Sequence, residues 1–215
     1  MPQTDDYAGL GGRFYSAYIE RPLLGRAVIR LLWGGDARPM YASLETLQHI
    51  EAGVTVVDAA CGAGLALRWL EPSRVGRYIG ADNSPAMLER ARERANRRGF
   101  RDAEFELADI AAIPLEDGQA DAYLVYNALH VVSDPEAAVA EAARCLKPGG
   151  RLVGSMLLRG EVPRVDRFFA REQRKPTGLL GPGGTRADLS RWLDGLSGIE
   201  LEVGGSLAAF RALRP

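Results

Sequence analysis

Three aspartates, Asp58, Asp82 and Asp109, each follow a short apolar run of the kind that forms a buried strand. In an open α/β sheet the carboxyl ends of parallel strands meet at one edge, where ligands bind, so we expect the three carboxylates to line one crevice. Asp82 lies about 20 residues after Gly62, a separation that suits a carboxylate accepting hydrogen bonds from both hydroxyls of a ribose. Any one of these acids could instead cap a helix or form a turn, but the three together favour a nucleotide-type site.

A turn with two glycines follows the first of these acids. Residues 56–64 read Val-Val-Asp-Ala-Ala-Cys-Gly-Ala-Gly, and the periodic segment that continues to Leu70 predicts strand, tight turn and helix. Glycines let the backbone approach a ligand, and amides at a helix start point toward it, although two glycines can also end a strand for local reasons. The nicotinamide fingerprint needs a third glycine where Leu67 stands, and the Gly-Lys-Ser/Thr phosphate loop is missing. A pyrophosphate ligand is therefore disfavoured.

Strands and helices alternate five times, which predicts a parallel sheet with right-handed crossovers. The expected strands are residues 54–58, 75–82, 103–108, 120–126 and 151–157. Ser84 and Asp134 are expected to cap helices that run to about residues 95 and 146. Thr185, with Asp188 three residues later, predicts a capped helix to about residue 196, and residues 199–203 and 207–213 predict a closing hairpin. Two further helices, at residues 23–33 and 41–51, precede the sheet.

Length and composition bound the class of protein. The chain has 215 residues, 47% hydrophobic and 26% charged, with a net charge of −1. These values predict one globular domain without a field that would attract nucleic acid or an anionic membrane. The sequence begins without a secretory pattern and has no apolar run of about 18 residues, so we expect a cytoplasmic protein. Cys61 and Cys145 provide neither a disulfide framework nor zinc-ligand spacing, and no metal is expected.

Residues 56–64 resemble the first motif of the class I S-adenosylmethionine-dependent methyltransferases. Residues 78–88, 108–110, 121–134 and 146–152 are similar to the later motifs, in the order and at the spacing of that family. One departure is Ala60, which stands where the family's first glycine is usual and is small enough that we expect cofactor binding to survive. The resemblance, to the type 11 methyltransferases that act on small molecules, implies an α/β, Rossmann-like, seven-stranded, mostly parallel sheet. Its last strand would be antiparallel, beside strand five, with helices on both faces and an N-terminal helical cap.

The resemblance also implies S-adenosyl-L-methionine as the cofactor and S-adenosyl-L-homocysteine as the product. Gly62 and Gly64, with Ala60 and Cys61 beside them, would lie under the cofactor. The other implied contacts are Asp58 and Asn127 at the methionine end, Asp82 at the ribose, Asn83 and Met87 flanking the adenine, Asp109 accepting from its exocyclic amine, and Ile110 supplying an amide.

His130 is the histidine near this predicted site, three residues after Asn127. Methyl transfer from a sulfonium is an in-line displacement, for which the protein positions the acceptor and excludes water. A general base is needed only if the nucleophile keeps its proton at pH 7, and the ordinary pKa of histidine suits that role. The alternative is a histidine that packs or hydrogen-bonds at the pocket wall without titrating in turnover.

Parts outside the central motifs are expected to select the acceptor. We divide the chain into an N-terminal cap (1–52), a cofactor-binding core (53–157), a substrate-side insertion (158–184) and a closing helix and hairpin (185–215). Aromatic side chains could face the acceptor or could pack the cap onto the sheet. The candidates on this side are Tyr15, Tyr41, His130, Phe168 and Phe169.

Residues 126–129 depart from the Asn/Asp-Pro-Pro-Tyr pattern of enzymes that methylate amide or base nitrogens. We therefore expect a small-molecule acceptor methylated on O, N or C, without nucleic-acid or membrane partners, by a monomer or homodimer. The alternatives are a non-catalytic cofactor-binding or regulatory protein, an RNA methyltransferase and, more remotely, a nicotinamide-dependent oxidoreductase.

Overall fold

The computed structural model describes residues 18–174 and 180–215. Seven strands make one sheet: β1 (Val54–Ala59), β2 (Val75–Asp82), β3 (Glu104–Leu107), β4 (Ala120–Tyr126), β5 (Leu146–Leu157), β6 (Ser197–Gly204) and β7 (Leu207–Leu213). The described α-helices are α1 (Pro22–Val28), α2 (Arg38–Thr46), α3 (Pro85–Arg98), α4 (Pro135–Cys145), α5 (Pro163–Glu172) and α6 (Arg186–Trp192).

The strand order in the sheet is β3-β2-β1-β4-β5-β7-β6. Six strands run parallel, and β7 runs antiparallel between β5 and β6. This confirms the Rossmann-like, seven-stranded sheet that the resemblance implied, including the place of its antiparallel strand. The order reverses between β1 and β4, so the ends of these two strands border the crevice in which such sheets bind ligands.

Apolar layers cover both faces of the sheet. Neighbouring residues of one strand contribute to different layers: Val56 packs with Leu124 and Met40 on one face, and Val57 packs with Tyr123 on the other. A strand covered on both faces has no solvent side, which explains why the central strands are nearly continuous apolar runs.

The predicted helix starts are confirmed at three caps. The Ser84 hydroxyl accepts from the Met87 amide, with Pro85 at the first helical position, and the Asp134 carboxylate accepts from the Ala137 amide. Thr185 and Asp188 form the reciprocal capping box that opens α6. These side chains satisfy amides that the first turn of a helix leaves without a backbone partner.

The helix predicted after the glycine turn is wrong. Residues 66–68 form a single 3-10 turn instead. Gly64 has a left-handed φ of +78°, and Pro72 disfavours helical geometry at the residue before it, so too few residues remain for an α-helix. The carbonyls of Leu67 and Leu70 accept instead from the guanidinium of Arg98.

Other element ends differ modestly from the predictions. The first N-terminal helix ends in a π-helical turn (Ile29–Trp33) before Gly34, and the second begins at Arg38, ahead of Pro39, and ends in a 3-10 turn at His49. Strand β5 begins at Leu146, where it pairs with Ala120 of β4, and α6 ends at Trp192. Within the described residues, none of the helices is both long enough and apolar enough to span a bilayer.

Candidate functional site

The Asp82 carboxylate joins the end of β2 to the glycine turn. Its Oδ2 accepts a 2.9 Å hydrogen bond from the Gly62 amide, and its Oδ1 accepts one of 2.9 Å from the Ser84 amide. Burial raises the pKa of Asp82, and these amide contacts oppose that shift. Each carboxylate oxygen can accept more than one hydrogen bond, so the group retains acceptor capacity for a ligand above the turn.

Asp58 lies one strand away and is more deeply buried, with 3% of its surface exposed. Its Oδ2 accepts a 2.7 Å hydrogen bond from the Tyr78 hydroxyl. Burial raises the pKa of Asp58 to about 7; the Tyr78 hydrogen bond lowers it, and the nearby Asp82 charge adds to the rise. The carboxyl is therefore poised to lose its proton when a cation comes close.

The turn between β1 and the 3-10 turn holds three residues in the left-handed region. They are Ala60 at φ +52°, Gly62 at +54° and Gly64 at +78°. A Cβ at Gly62 would meet no atom within 4 Å, whereas one at Gly64 would lie 2.8 Å from Leu67 Cδ1. Gly62 thus faces open space in which a ligand can lie on the backbone, while Gly64 is required for packing.

This cradle fits the cofactor that the resemblance implies. An open backbone surface over Gly62 suits the close approach of a small ligand, and the adjoining buried carboxylates offer acceptors to hydroxyl and ammonium groups. Cys61 is buried behind the turn, and its amide donates to the Ala81 carbonyl at 3.0 Å, so it stabilises the backbone path. Burial raises the pKa of the Cys61 thiol, which keeps it protonated.

Asn127 ends β4 and is the second non-glycine residue with a positive φ, at +54°. Its Oδ1 accepts from the Ser155 hydroxyl at 3.0 Å, its amide donates to the Ser155 carbonyl at 2.7 Å, and its Nδ2 lies 3.4 Å from Met40 Sδ. Asparagine tolerates this conformation better than most residues. These contacts hold the Asn127 side chain in place at the end of β4.

The residues expected around an adenine follow the ends of β2 and β3. Asn83 is exposed and Met87 is buried in the first turn of α3, directly after Asp82. Asp109 follows β3, where its Oδ1 accepts from the Ala111 amide at 3.0 Å, and Ile110 is buried. The Ala108 amide donates to the Asp82 carbonyl at 3.1 Å, so the two strand ends are adjacent.

His130 is buried, and its environment bears on the two roles considered for it. Nδ1 accepts a 3.3 Å hydrogen bond from the Leu157 amide, which places the proton of the neutral ring on Nε2. Burial lowers the pKa of His130 to about 4, and the ring packs 6.5 Å from that of Phe169. The geometry favours the wall role over the general-base hypothesis. Nδ1, the ring nitrogen without a proton, already accepts the hydrogen bond from the Leu157 amide.

The other candidates for the acceptor side separate into different environments. The Tyr41 hydroxyl donates to the Ile19 carbonyl at 2.8 Å, and the ring packs 6.3 Å from Trp69, so this side chain holds the cap together. Phe169 is 1% exposed, and Phe168 packs edge-on against Trp33 at 5.0 Å. Tyr15 lies outside the described residues.

Two hollows are lined largely by charged or polar residues. One, of about 480 Å³, is lined by Glu20, Arg68, Arg94, Arg97 and Arg98, and a smaller one, of about 220 Å³, lies on the insertion between Arg159 and Thr185. Across residues 18–174 and 180–215, no group of three or more His, Cys, Asp or Glu side chains is arranged to hold a metal ion.

Sequence reasoning missed several partners of the site. Tyr78 holds Asp58, Ser155 holds Asn127, and Ser43 of α2 forms a 2.7 Å hydrogen bond with the Tyr126 hydroxyl. The polar Ser155 within the apolar β5 was the one sequence signal available. Tyr78 is 20 positions from Asp58, and Ser43 is 83 positions from Tyr126, so neither pairing can be predicted from local sequence patterns.

The sheet order, the left-handed glycine turn and the carboxylate after β2 together define the class I S-adenosylmethionine-dependent methyltransferase fold, whose cofactor is S-adenosyl-L-methionine. Residues 57–154 match the family model described as a methyltransferase domain. This match, over somewhat less than half of the chain, confirms the resemblance found in the sequence.

Curated relatives match parts of this chain. An uncharacterized 37.1 kDa protein in transposon TN4556 of Streptomyces fradiae is 43% identical over 155 residues, which are 70% of this chain and 43% of that protein. The demethylmenaquinone methyltransferase of Thermus thermophilus is 40% identical over 124 residues, or 57% of this chain and 56% of that enzyme. The chain spans about half the length of the curated relatives it matches.

A solved structure shares the fold at low identity. The geranyl diphosphate C-methyltransferase from Streptomyces coelicolor A3(2), in complex with Mg²⁺, geranyl diphosphate and S-adenosyl-L-homocysteine, has a TM-score of 0.67 at 19% identity. The similarity covers 82% of this chain and 81% of that one.

Proposed function

We propose that this chain transfers the methyl group of S-adenosyl-L-methionine to an O, N or C atom of a small molecule. The observation that carries the proposal is the Asp82 carboxylate, which ties the open backbone of Gly62 to the end of β2 and keeps acceptor capacity above it. A buried carboxylate beside an accessible glycine backbone suits a ribose bound close to the turn.

The proposed cofactor contacts follow the order of the strand ends. Asp58 and Asn127 bind the methionine end, Asp82 accepts from the ribose hydroxyls, and Ala60, Cys61, Gly62 and Gly64 support the centre. Asn83, Met87, Asp109 and Ile110 surround the adenine. The adjacent ends of β2 and β3 and the fixed Asn127 side chain support this order.

The cofactor, when bound, supplies an electrophilic methyl group on a sulfonium that is already a good leaving group. The residues of this chain then hold the acceptor in line and exclude water. His130 forms a wall of this space, where its Nε2–H can donate a hydrogen bond to the acceptor rather than remove a proton from it. An acceptor that needs deprotonation must then lose its proton to another group or to solvent.

We further propose that the cap (1–52) and the insertion (158–184) select the acceptor. Trp33 at the end of the cap's first helix packs against Phe168 of α5, and Phe169 packs against His130, so the two segments meet beside the predicted site. The printed names of relatives, a demethylmenaquinone methyltransferase and a geranyl diphosphate C-methyltransferase, describe small acceptors of those proteins and support a small molecule here.

The test is calorimetric titration with S-adenosyl-L-methionine and S-adenosyl-L-homocysteine, with NAD as the control ligand. We expect binding of the first two and none of NAD, followed by release of S-adenosyl-L-homocysteine when a panel of small quinols, phenols, amines and prenyl compounds is added. Absence of binding would contradict the cofactor site. Binding without turnover on any acceptor would favour the non-catalytic alternative, and turnover only on RNA would favour the RNA methyltransferase.

A further inference from the structure

Four leucines project from the first helix of the cap into solvent. Leu23 and Leu24 of α1 are 82% and 44% exposed, and Leu31 and Leu32 of the following π-helical turn are 76% and 49% exposed. Scattered exposed leucines are ordinary, but four on one 12-residue helical segment form a patch that needs a partner.

The segment is firmly attached to the rest of the protein. Gly25 lies so close to the Tyr41 hydroxyl that a Cβ would clash with it. The Arg164 guanidinium donates to the Arg30 carbonyl at 3.0 Å, and the Ser206 hydroxyl donates to the Trp33 carbonyl. The buried side of the segment is therefore fixed against Tyr41, α5 and the β6–β7 hairpin, and its leucines are held outward.

The charged side chains of the same segment are all positive. Arg21, Arg26 and Arg30 are exposed among the leucines, and residues 21–33 contain no acidic residue although the chain as a whole has a net charge of −1. Glu20, at the border, is paired with Arg94 at 2.5 Å. An apolar patch flanked by arginines complements a surface with acyl chains below and phosphates above.

We propose that the leucine–arginine face, formed by Arg21, Leu23, Leu24, Arg26, Arg30, Leu31 and Leu32, binds peripherally to an anionic phospholipid surface. The leucines enter the boundary between headgroups and acyl chains, and the arginines bind lipid phosphates. A second copy of the chain fits less well: four partly exposed leucines amount to a few hundred Å², below the roughly 800 Å² per partner of a stable interface, and three arginines would face their own copies. The proposal departs from the expectation, drawn from the overall charge, that the protein has no membrane partner.

The experiment is co-sedimentation of the full chain with phosphatidylcholine vesicles, with and without phosphatidylglycerol. We expect binding to the anionic vesicles that weakens with salt and falls about tenfold in Leu23→Ser/Leu31→Ser and in Arg26→Gln/Arg30→Gln. The matched control is Leu107→Ser, which removes a leucine that is 57% exposed on the edge strand β3 and should leave vesicle binding unchanged.

Three results would overturn the proposal. These are failure to bind anionic vesicles, equal binding by the double leucine variant, and self-association of the wild type in sedimentation velocity that the leucine substitutions abolish, which would assign the face to a second copy. The circular dichroism and cofactor affinity of each variant are measured alongside, and both should match wild type. The inference is thereby tested separately from methyl transfer.

Discussion

The amide of Gly62 and the carboxylate of Asp82 are 2.9 Å apart, which couples the turn after β1 to the end of β2. The two residues are 20 positions apart in the sequence, and their hydrogen bond adds a side-chain contact to the backbone ladder that pairs β1 with β2. A substitution at Asp82 is therefore expected to change both the ligand contact and the position of the turn.

Asp82→Asn should weaken binding of S-adenosyl-L-methionine by about 1–3 kcal/mol, because a neutral amide gives weaker hydrogen bonds to the ribose and can serve only one of the two backbone amides. Calorimetric titration measures the loss. Asp102→Asn is the matched control, since Asp102 is exposed in the turn before β3. Wild-type affinity in a folded Asp82→Asn protein would contradict the ribose assignment.

Ala60→Gly should stabilise the protein by about 0.5–1 kcal/mol. At φ +52° a Cβ costs about 1–2 kcal/mol, which exceeds the extra conformational entropy that glycine loses on folding. Urea unfolding measures the change. Ala63→Gly in the same turn is the control and should destabilise the protein, because Ala63 has no positive φ. If both substitutions destabilise equally, the left-handed strain at Ala60 is absent.

Cofactor affinity should rise as the pH increases from about 6 to 8. The pKa of Asp58 is raised to about 7 in the free protein by burial, and the ammonium group of a bound methionine moiety would lower it, so binding at lower pH must release a proton. Titrations in two buffers of different ionisation enthalpy measure that proton. Tyr78→Phe should move the midpoint to higher pH, because it removes the hydroxyl that stabilises the carboxylate. If the pH midpoint is unchanged in Tyr78→Phe, Asp58 is not the group that loses a proton when the cofactor binds.

His130→Asn should keep cofactor affinity and most of the turnover, because the asparagine oxygen can replace Nδ1 as acceptor for the Leu157 amide. His130→Ala should lose about 1–3 kcal/mol of stability, since that buried donor is left unsatisfied. Turnover and urea unfolding of both variants distinguish a histidine that lines the pocket wall from a general base. Loss of activity in both variants at unchanged stability would support proton abstraction by His130.

The contribution of His130 to the stability of the wild type should fall as the pH decreases from about 6.5 toward 4, whereas Asp58, whose pKa is raised to about 7, contributes in the opposite direction over this range. The folded pKa of His130 is lowered to about 4 by burial, whereas the unfolded histidine takes up a proton below about 6.5, so acid favours the unfolded chain. The difference in the free energy of unfolding between the wild type and His130→Asn isolates this contribution, and it should shift in favour of His130→Asn as the pH decreases across this range. An identical pH dependence in the two proteins would place His130 in contact with solvent.

The fold was predictable wherever one short stretch of sequence contains the whole determinant. Ser84 with Pro85, and Thr185 with Asp188, mark helix starts by local chemistry, and the apolar runs of β1, β2 and β4 follow from burial on both faces. The missing helix after Gly64 was not predictable from periodicity alone, because the left-handed Gly64 and Pro72 leave too short a segment and Arg98 of α3 satisfies the Leu67 and Leu70 carbonyls.

The candidate site also has features that local sequence predicts and features that depend on contacts between distant residues. The acids at the strand ends were visible in the sequence, since Asp58 and Asp82 are among the last two residues of β1 and β2 and Asp109 comes two residues after β3. The Tyr78 contact that controls Asp58, and the Leu157 amide that occupies Nδ1 of His130, join distant residues, so the protonation states that decide their chemistry required the structure.

The insertion of β7 between β5 and β6 has a consequence for biosynthesis. Strand β6 leaves the ribosome before β7 but has no place in the sheet until β7 pairs with β5 along residues 151–157. The outer edge of β5 therefore remains open in the nascent chain, a state in which sheet edges recruit chaperones or other chains. Emergence of β7 through residue 213 is the step that closes it.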